Sequence, residues 1–189
     1  MDFRSLIKST LGWARCRLVG IQSGNGVYFG SRIHVVNGRS IRIGDSVQIR
    51  SGCDLFARRD GVFSIGQRSD VGERNRICGN VIIGDSVLLG PGSYISSETH
   101  CYEDISRPII DQGGCDVQKN GHTELMIGDG SWIGAHCAIL GDVHIGEHCV
   151  IGANSVVTRD VPSFSVAVGS PAQVVKYYSK SIGGWVRNS

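Results

Sequence analysis

Along two stretches of the chain an aliphatic residue returns at every sixth position. The first runs Ile65, Val71, Ile77, Ile83, Leu89 and Ile95, the second Ile127, Ile133, Ile139, Ile145, Ile151 and Val157. A period of six fits neither a helix, with its period near 3.6, nor a half-buried strand of period two. It requires a chain that turns at fixed intervals and brings equivalent residues round to stack, which predicts a solenoid. A second register supports it. Four residues after each aliphatic stands a small or compact residue: Ser69, Asn75, Val81, Val87, Ser93 and Thr99, then Ser131, Cys137, Val143, Cys149, Ser155 and Val161. Glycine follows the aliphatic in most hexads, among them Gly66, Gly72, Gly84, Gly90, Gly128, Gly134, Gly146 and Gly152. The aliphatic fills a narrow interior and the small residue fits a corner. Glycine there allows positive φ and close backbone approach.

The departures from the period set the organisation. Hexads begin loosely near Val27 and clearly at Ile43 and Ile49. The register slips between Leu55 and Ile65 around Arg58-Arg59-Asp60-Gly61, which predicts a small hairpin inserted at a corner. The largest break, Cys101 to Glu124, has no hexads. Long loops on a rigid repeat more often carry function than decoration. Before the repeat, Leu6, Ile7, Thr10, Leu11 and Ala14 recur at helical spacing between basic residues. This predicts a short N-terminal amphipathic helix or an irregular cap that covers the open end of the solenoid. Arg4, Lys8, Arg15 and Arg17 offer it a second role, docking on a membrane surface. Beyond Pro171 a short C-terminal helix is expected, since proline suits a first helical turn. The expected segments are a cap over 1–26, the solenoid over 27–168 with its loop over 101–124, and a tail over 169–189.

Composition adds exclusions. A chain of 189 residues with 27 glycines, 4 prolines and 41% hydrophobic residues has enough core for one domain and suits turn-rich β structure. A formal net charge of +2 is too mild to argue for nucleic acid as a whole-chain partner. Neither an apolar run long enough to span a bilayer nor a secretory leader is evident, so a cytoplasmic protein is expected. Of seven cysteines, Cys53, Cys137 and Cys149 occupy the small hexad position. They read as buried packing thiols of a reducing cytosol, not disulfides or zinc ligands.

The hexads, written Ile-Gly-x-x-Ser/Val-x, strongly resemble those of the hexapeptide-repeat acyltransferases. The block Met126–Lys176 contains Ile127-Gly-Asp-x-x-Trp132-Ile-Gly, then Ser155-Val-Val-Thr-Arg-Asp-Val-Pro162, then Gly169-x-Pro-Ala172. In that order and spacing it is similar to the galactoside, maltose and xenobiotic acetyltransferases and to the O-acetyltransferases of polysaccharide gene clusters. The likeness covers about residues 27–178. It implies an all-β fold, a left-handed parallel β-helix with three hexads per coil, assembled as a homotrimer with active sites at subunit interfaces. Parallel crossovers are normally right-handed, so the handedness comes from the resemblance and not from the period.

The chemistry centres on His100, which closes the hexad Ile95-Ser-Ser-Glu-Thr-His at the mouth of the long loop. The resemblance implies that a histidine at this point is the general base. Acyl transfer from a thioester to an alcohol needs an acceptor for the hydroxyl proton, and imidazole titrates near neutrality. Cys101 beside it is not expected to pair with His100, because neighbours in extended chain point to opposite faces. Glu98 and Asp104 are candidates to orient the histidine. The donor implied is acetyl-CoA, with Trp132 near the acetyl group and the backbones of Ala135 and Ala153 pairing with the pantetheine amides. Thr158 and Arg159 are implied near the adenine end, and Lys176 with Gln173 at the 3′-phosphate. Asp70, Asn75 and Tyr102 are the acceptor candidates. His34, His122, His136, His144 and His148 lack the spacing of a seam zinc site, and no metal is expected. The expected reaction is O-acetylation of a carbohydrate, in a bacterial surface polysaccharide or its precursor, by direct transfer in a ternary complex. The alternatives are N-acetylation of an amino sugar or antibiotic, and a solenoid scaffold without activity.

Overall fold

The six-residue period becomes three flat faces that meet at sharp corners. The computed structural model describes residues 3–115 and 124–188. Face A stacks Gln22–Ser23, Ile41–Ile43, Phe63–Ile65, Val81–Ile83, Leu125–Ile127 and His144–Ile145. Face B stacks Tyr28–Phe29, Gln48–Ile49, Asp70–Val71, Leu88–Leu89, Trp132–Ile133, Val150–Ile151 and Ser165–Gly169. Face C stacks His34–Val36, Asp54–Ala57, Arg76–Gly79, Tyr94–Ser96, Ala138–Leu140 and Val156–Val157. The coils pair in parallel through about seven turns of a left-handed β-helix. The first strand, Gln22–Ser23, pairs with Arg42 and Ile43, so the solenoid begins ahead of the expected start at 27.

The two hexad registers have distinct jobs. Ile65, Ile77, Ile83, Ile95, Ile127, Ile133, Ile139 and Ile151 are at most 1% exposed and form one continuous aliphatic column. Burying each such side chain is worth roughly 1.5–3 kcal/mol. The small residues do more than fit. Ser69 Oγ accepts from Val87 N at 2.9 Å and donates to Gly84 O at 2.8 Å. Ser131 repeats this with Cys149 N and Gly146 O, both at 3.0 Å. A hydroxyl can do both at once, so each serine ties its coil to the next.

The glycines after the aliphatics serve close approach, not positive φ. A Cβ on Gly134 would lie 2.5 Å from Ala153 N, and one on Gly90 would lie 2.6 Å from Ala135 N. Positive φ falls two residues later, at Arg68, Arg74, Ser86, His136, His148 and Asn154.

Coil length varies without disturbing this stack. Ile65 faces Ile83 and Ile127 faces Ile145, in each case eighteen residues on. Ile43 faces Ile65 across a longer coil. The extra residues form a plain turn at Arg59–Asp60, not the expected hairpin. Ile83 faces Ile127, forty-four residues on, with the same in-line register. The long loop therefore leaves and re-enters at the corner between faces C and A. At its base Thr99–His100 pairs antiparallel with Gly114–Cys115. Within it Asp104 N donates to Gln112 Oε1 at 3.2 Å, and Gln112 Nε2 donates to Asp104 O at 2.8 Å.

A helix, Phe3–Leu18, closes the first coil as expected, but on a different face. Gly12 and Cys16 are buried against the solenoid, whereas Leu11 and Ala14 are exposed. A Cβ on Gly12 would sit 2.0 Å from Val27 O, which is why this turn can lie flat. Arg15 Nη1 donates to Phe29 O at 3.0 Å and to Gly30 O at 3.3 Å, satisfying edge carbonyls. The side chains of Leu6, Ile7 and Thr10 lie outside the described residues.

The expected C-terminal helix is instead a strand. Ala172–Ser179 pairs antiparallel with Ser165–Gly169 and with Gly184–Arg187. Val174, Val175, Tyr177 and Tyr178 have the β-branched and aromatic character of strands, and this outweighed the proline signal. Cys53, Cys137 and Cys149 are buried free thiols. Burial raises the pKa of each thiol above its ordinary value. Cys101 is disulfide-bonded, so the reading of reduced thiols does not extend to it. Among the described residues, no helix is long and apolar enough to cross a membrane.

Candidate active site

His100 is exposed on the corner between faces C and A, at the foot of the loop. It opens on a cleft of about 480 Å³ lined by Phe56, Arg58, Arg76, Cys78, Tyr94, Glu98, Thr99 and Gly114. The repeat explains this set. Arg76 and Tyr94 stand in register on neighbouring strands of face C, and Phe56 stands in register with Cys78. Phe56, Arg58, Arg76 and Tyr94 were missed by sequence reasoning. Spacing relates only two of them, since Arg76 and Tyr94 are eighteen residues, one ordinary coil, apart.

The Arg76 guanidinium lies 4.7 Å from the Phe56 ring centroid, a cation–π distance. Its Nη1 is 3.6 Å from Asp54 Oδ2. A hydrogen bond with Cys78, with the nearby Asp54 carboxylate, raises the Arg76 pKa. Arg76 in turn favours the Cys78 thiolate, but burial is the larger effect and the thiol pKa is raised. The cleft thus offers an imidazole at the foot of the loop, beside a cation and two aromatic surfaces on strands that have parallel ladders on both sides.

The Asp104 carboxylate is engaged within the loop. Its Oδ1 accepts from Ser106 N at 3.0 Å and its Oδ2 accepts from Arg107 Nε at 2.7 Å. These bonds, that from the Ser106 hydroxyl foremost, hold its pKa below the ordinary value. Glu98 lines the same cleft as His100. Cys101, disulfide-bonded, brings no thiol to the site.

The remaining residues fall on different edges. Trp132 is 52% exposed on face B, between Leu88 and Val150 in register. Ala135 and Ala153 occupy successive turns of the corner between faces B and C, joined by Asn154 N to Ala135 O at 2.9 Å. Gln173 and Lys176 lie on the C-terminal strand at the end of face B. Thr158 and Arg159 are exposed on the corner between faces C and A, two coils beyond the strand that leads into His100. The width of face C therefore separates Trp132, Ala135 and Ala153 from His100 in one chain.

Of the acceptor candidates, Tyr102 is exposed in the loop. Asp70 is on face B, where Arg50 Nε and Nη2 donate to its two oxygens at 3.0 and 2.6 Å. Asn75 is removed from that set. It is 1% exposed and its amide donates to Gly72 O of its own turn and to Gly90 O of the next coil. Among the described residues no three His, Cys, Asp or Glu side chains converge as a metal site would need. His122 lies outside the described residues.

Residues 126–159 match the family described as Bacterial transferase hexapeptide (six repeats). The chain is a member of the hexapeptide-repeat family. It is 37% identical over 141 residues to a probable acetyltransferase of Mycobacterium tuberculosis, covering 74% of this chain and 43% of that protein. It is also 37% identical over 99 residues to the galactoside O-acetyltransferase of Escherichia coli, covering 51% of this chain and 43% of that protein. The chain thus spans less than half the length of these relatives. Among solved structures, a hexapeptide-repeat acetyltransferase of Vibrio cholerae complexed with acetyl coenzyme A superposes with a TM-score of 0.61 at 25% identity. That match covers 89% of this chain and 76% of the other. The hexapeptide-repeat chain described here therefore shares fold and repeat with proteins named as acetyltransferases.

Proposed function

We propose that this protein transfers an acetyl group from acetyl-CoA to a hydroxyl of a carbohydrate, with His100 as the general base. The observation that carries the reading is the position of His100. It stands at the one corner where the stack is opened by a long loop, on the rim of a cleft with a cation and aromatic surfaces. The acceptor oxygen attacks the thioester carbonyl as its proton passes to the imidazole. The C–S bond then breaks, and the departing thiolate recovers that proton. Such a base contributes about 10²–10⁴-fold in rate, and holding the two reactants together supplies much of the rest.

The donor groove is the edge bearing Trp132, Ala135 and Ala153, with Gln173 and Lys176 toward the phosphates. Because that edge and His100 lie across face C from each other, a neighbouring copy brings its own edge against the His100 corner. A homotrimer of parallel solenoids meets this need. Thr158 and Arg159 then face the donor from the His100 side. Asp70 and Tyr102 are acceptor-wall candidates in that assembly, and a surface polysaccharide or its precursor is the substrate class favoured by the likeness to the O-acetyltransferases. A cytoplasmic site of action fits the supply of acetyl-CoA.

The decisive test pairs His100→Ala with a thioester-consumption assay over neutral sugars and amino sugars. Acetyl-CoA binding is expected to persist while turnover falls on the order of 10²–10⁴-fold. Unchanged turnover would remove His100 from the chemistry. Product on amines alone would assign N-acetylation. A chain that binds no acetyl-CoA is a scaffold.

A further inference from the structure

Charge is unevenly distributed along this chain. From Phe3 to Gly44 there are seven arginines and lysines and no carboxylate, out of 19 basic and 17 acidic residues in all. The rest of the chain is left with 12 basic against 17 acidic residues. The near-neutral total hides one strongly basic end, and such asymmetry points to an anionic partner at that end.

The fold gathers three of these cations, Arg17, Arg39 and Arg42, with Arg59, beside exposed apolar side chains. Two adjoining clefts at the helix end of the solenoid, of about 650 and 640 Å³, share Arg17 and Arg39. The first adds Trp13 and Arg42, and the second adds Leu18, Val19 and Arg59. Leu18 is 85% exposed and Trp13 is 47% exposed. The Arg17 guanidinium is 5.0 Å from the Trp13 ring centroid. Arg15 belongs to a different task, since it donates to Phe29 O and Gly30 O.

We propose that this end of the solenoid docks on an anionic lipid surface. Trp13, Leu18 and Val19 enter the headgroup layer, and Arg17, Arg39, Arg42 and Arg59 contact lipid phosphates. Tryptophan and arginine around an exposed leucine are the side chains such an interface favours. A nucleic acid would satisfy the arginines but would leave Leu18 and Val19 in water. The helix thus both covers the first coil, through Gly12 and Cys16, and presents the docking surface on its other side. This inference is independent of the acyl-transfer reading, because it concerns binding at the opposite end from the Thr158 edge.

The test is cosedimentation of the full chain with vesicles of phosphatidylcholine, with and without an equal part of phosphatidylglycerol. Binding to the mixed vesicles and not to the neutral ones is expected, and it weakens as salt rises. Arg39→Gln and Arg42→Gln each reduce partitioning about five-fold, the worth of one cation near such a surface. Leu18→Asp reduces it further. Brominated lipid quenches the fluorescence of Trp13, and the quenching disappears in Trp13→Phe. All four positions are exposed, so circular dichroism and the melting temperature report that each variant is folded. Equal binding to neutral vesicles, no binding to either, or unaltered partitioning of the folded variants overturns the proposal. Tighter binding to a DNA duplex than to mixed vesicles overturns it too, and assigns the patch to nucleic acid.

Discussion

Asn75 and Ser93 are joined across one coil step, with Ser93 N donating to Asn75 Oδ1 at 2.7 Å. The Asn75 amide also donates to Gly72 O at 2.9 Å and to Gly90 O at 3.0 Å. Replacing Asn75 with alanine takes the acceptor from the buried Ser93 N–H and one donor each from the half-buried Gly72 and Gly90 carbonyls, of which Gly72 O keeps Cys53 Sγ at 3.2 Å. A buried group left fully unsatisfied costs about 1–3 kcal/mol. Asn75→Ala is expected to fall in melting temperature by several degrees, with the KM for any acceptor unchanged in the folded protein. A variant of normal stability with a raised acceptor KM would return Asn75 to the substrate wall.

Gly134 sits where two coils come closest along the edge proposed to hold the coenzyme. A Cβ there would meet Ala153 N at 2.5 Å and Ala153 Cα at 2.8 Å, and backbone cannot swing aside as a side chain can. Gly134→Ala is expected to cost roughly 1–3 kcal/mol by overpacking. Thermal unfolding would show it, and acetyl-CoA affinity would fall with it because the Ala135 and Ala153 backbones are pushed apart. Stability equal to that of the parent would mean that the coils are looser than this spacing.

Removal of the long loop is expected to leave the stack unaltered. Deleting residues 98–123 joins Ser97 to Glu124 and places Ile95 six residues before Ile127, the interval that separates Ile139 from Ile145. This shortened chain is expected to fold with a β-rich spectrum and a cooperative melt, while losing turnover with the deleted His100. Aggregation or loss of β structure on deletion would show that the loop holds the coils together.

Asp104 stiffens the loop through Ser106 and Arg107. Its folded pKa lies below the ordinary 3.8. A depressed carboxylate pKa stabilises the folded loop above the unfolded value, and that contribution is lost as pH falls through the lower folded value. Hydrogen exchange of the Ser106 amide, corrected for its intrinsic rate, is expected to lose protection over that acid window. Asp104→Asn is expected to show the same loss near neutrality with an unchanged global melt. A loop equally protected in both proteins would locate its rigidity elsewhere.

The sequence made the solenoid legible because each coil repeats the same two demands, an aliphatic for the interior and a small residue at the corner. Ile83 and Ile127 could be seen as equivalent despite the gap between them, and His100 stood out as the histidine on its rim. The rest of the cleft was harder to read. Phe56, Arg58, Arg76 and Tyr94 occupy outward positions that face solvent on most coils, so the hexad rule places no constraint on them. The C-terminal strand was misread because proline at a helix start is a local signal. Its pairing with Ser165–Gly169 is a tertiary gain that local signals do not register. The helix face was misassigned for a related reason. A glycine, Gly12, makes the closest contact with the first coil, and apolar spacing does not count glycine as a packing residue.

The in-line pairing of Ile83 with Ile127 also separates two kinds of inheritance. The stack transmits shape, and its steric demands repeat at every turn. The excursion at the corner answers to no such repetition, so substitutions, insertions and whole-segment exchanges there meet no objection from the core. A lineage built on this chain can therefore alter that excursion in one step while its architecture remains under unbroken selection.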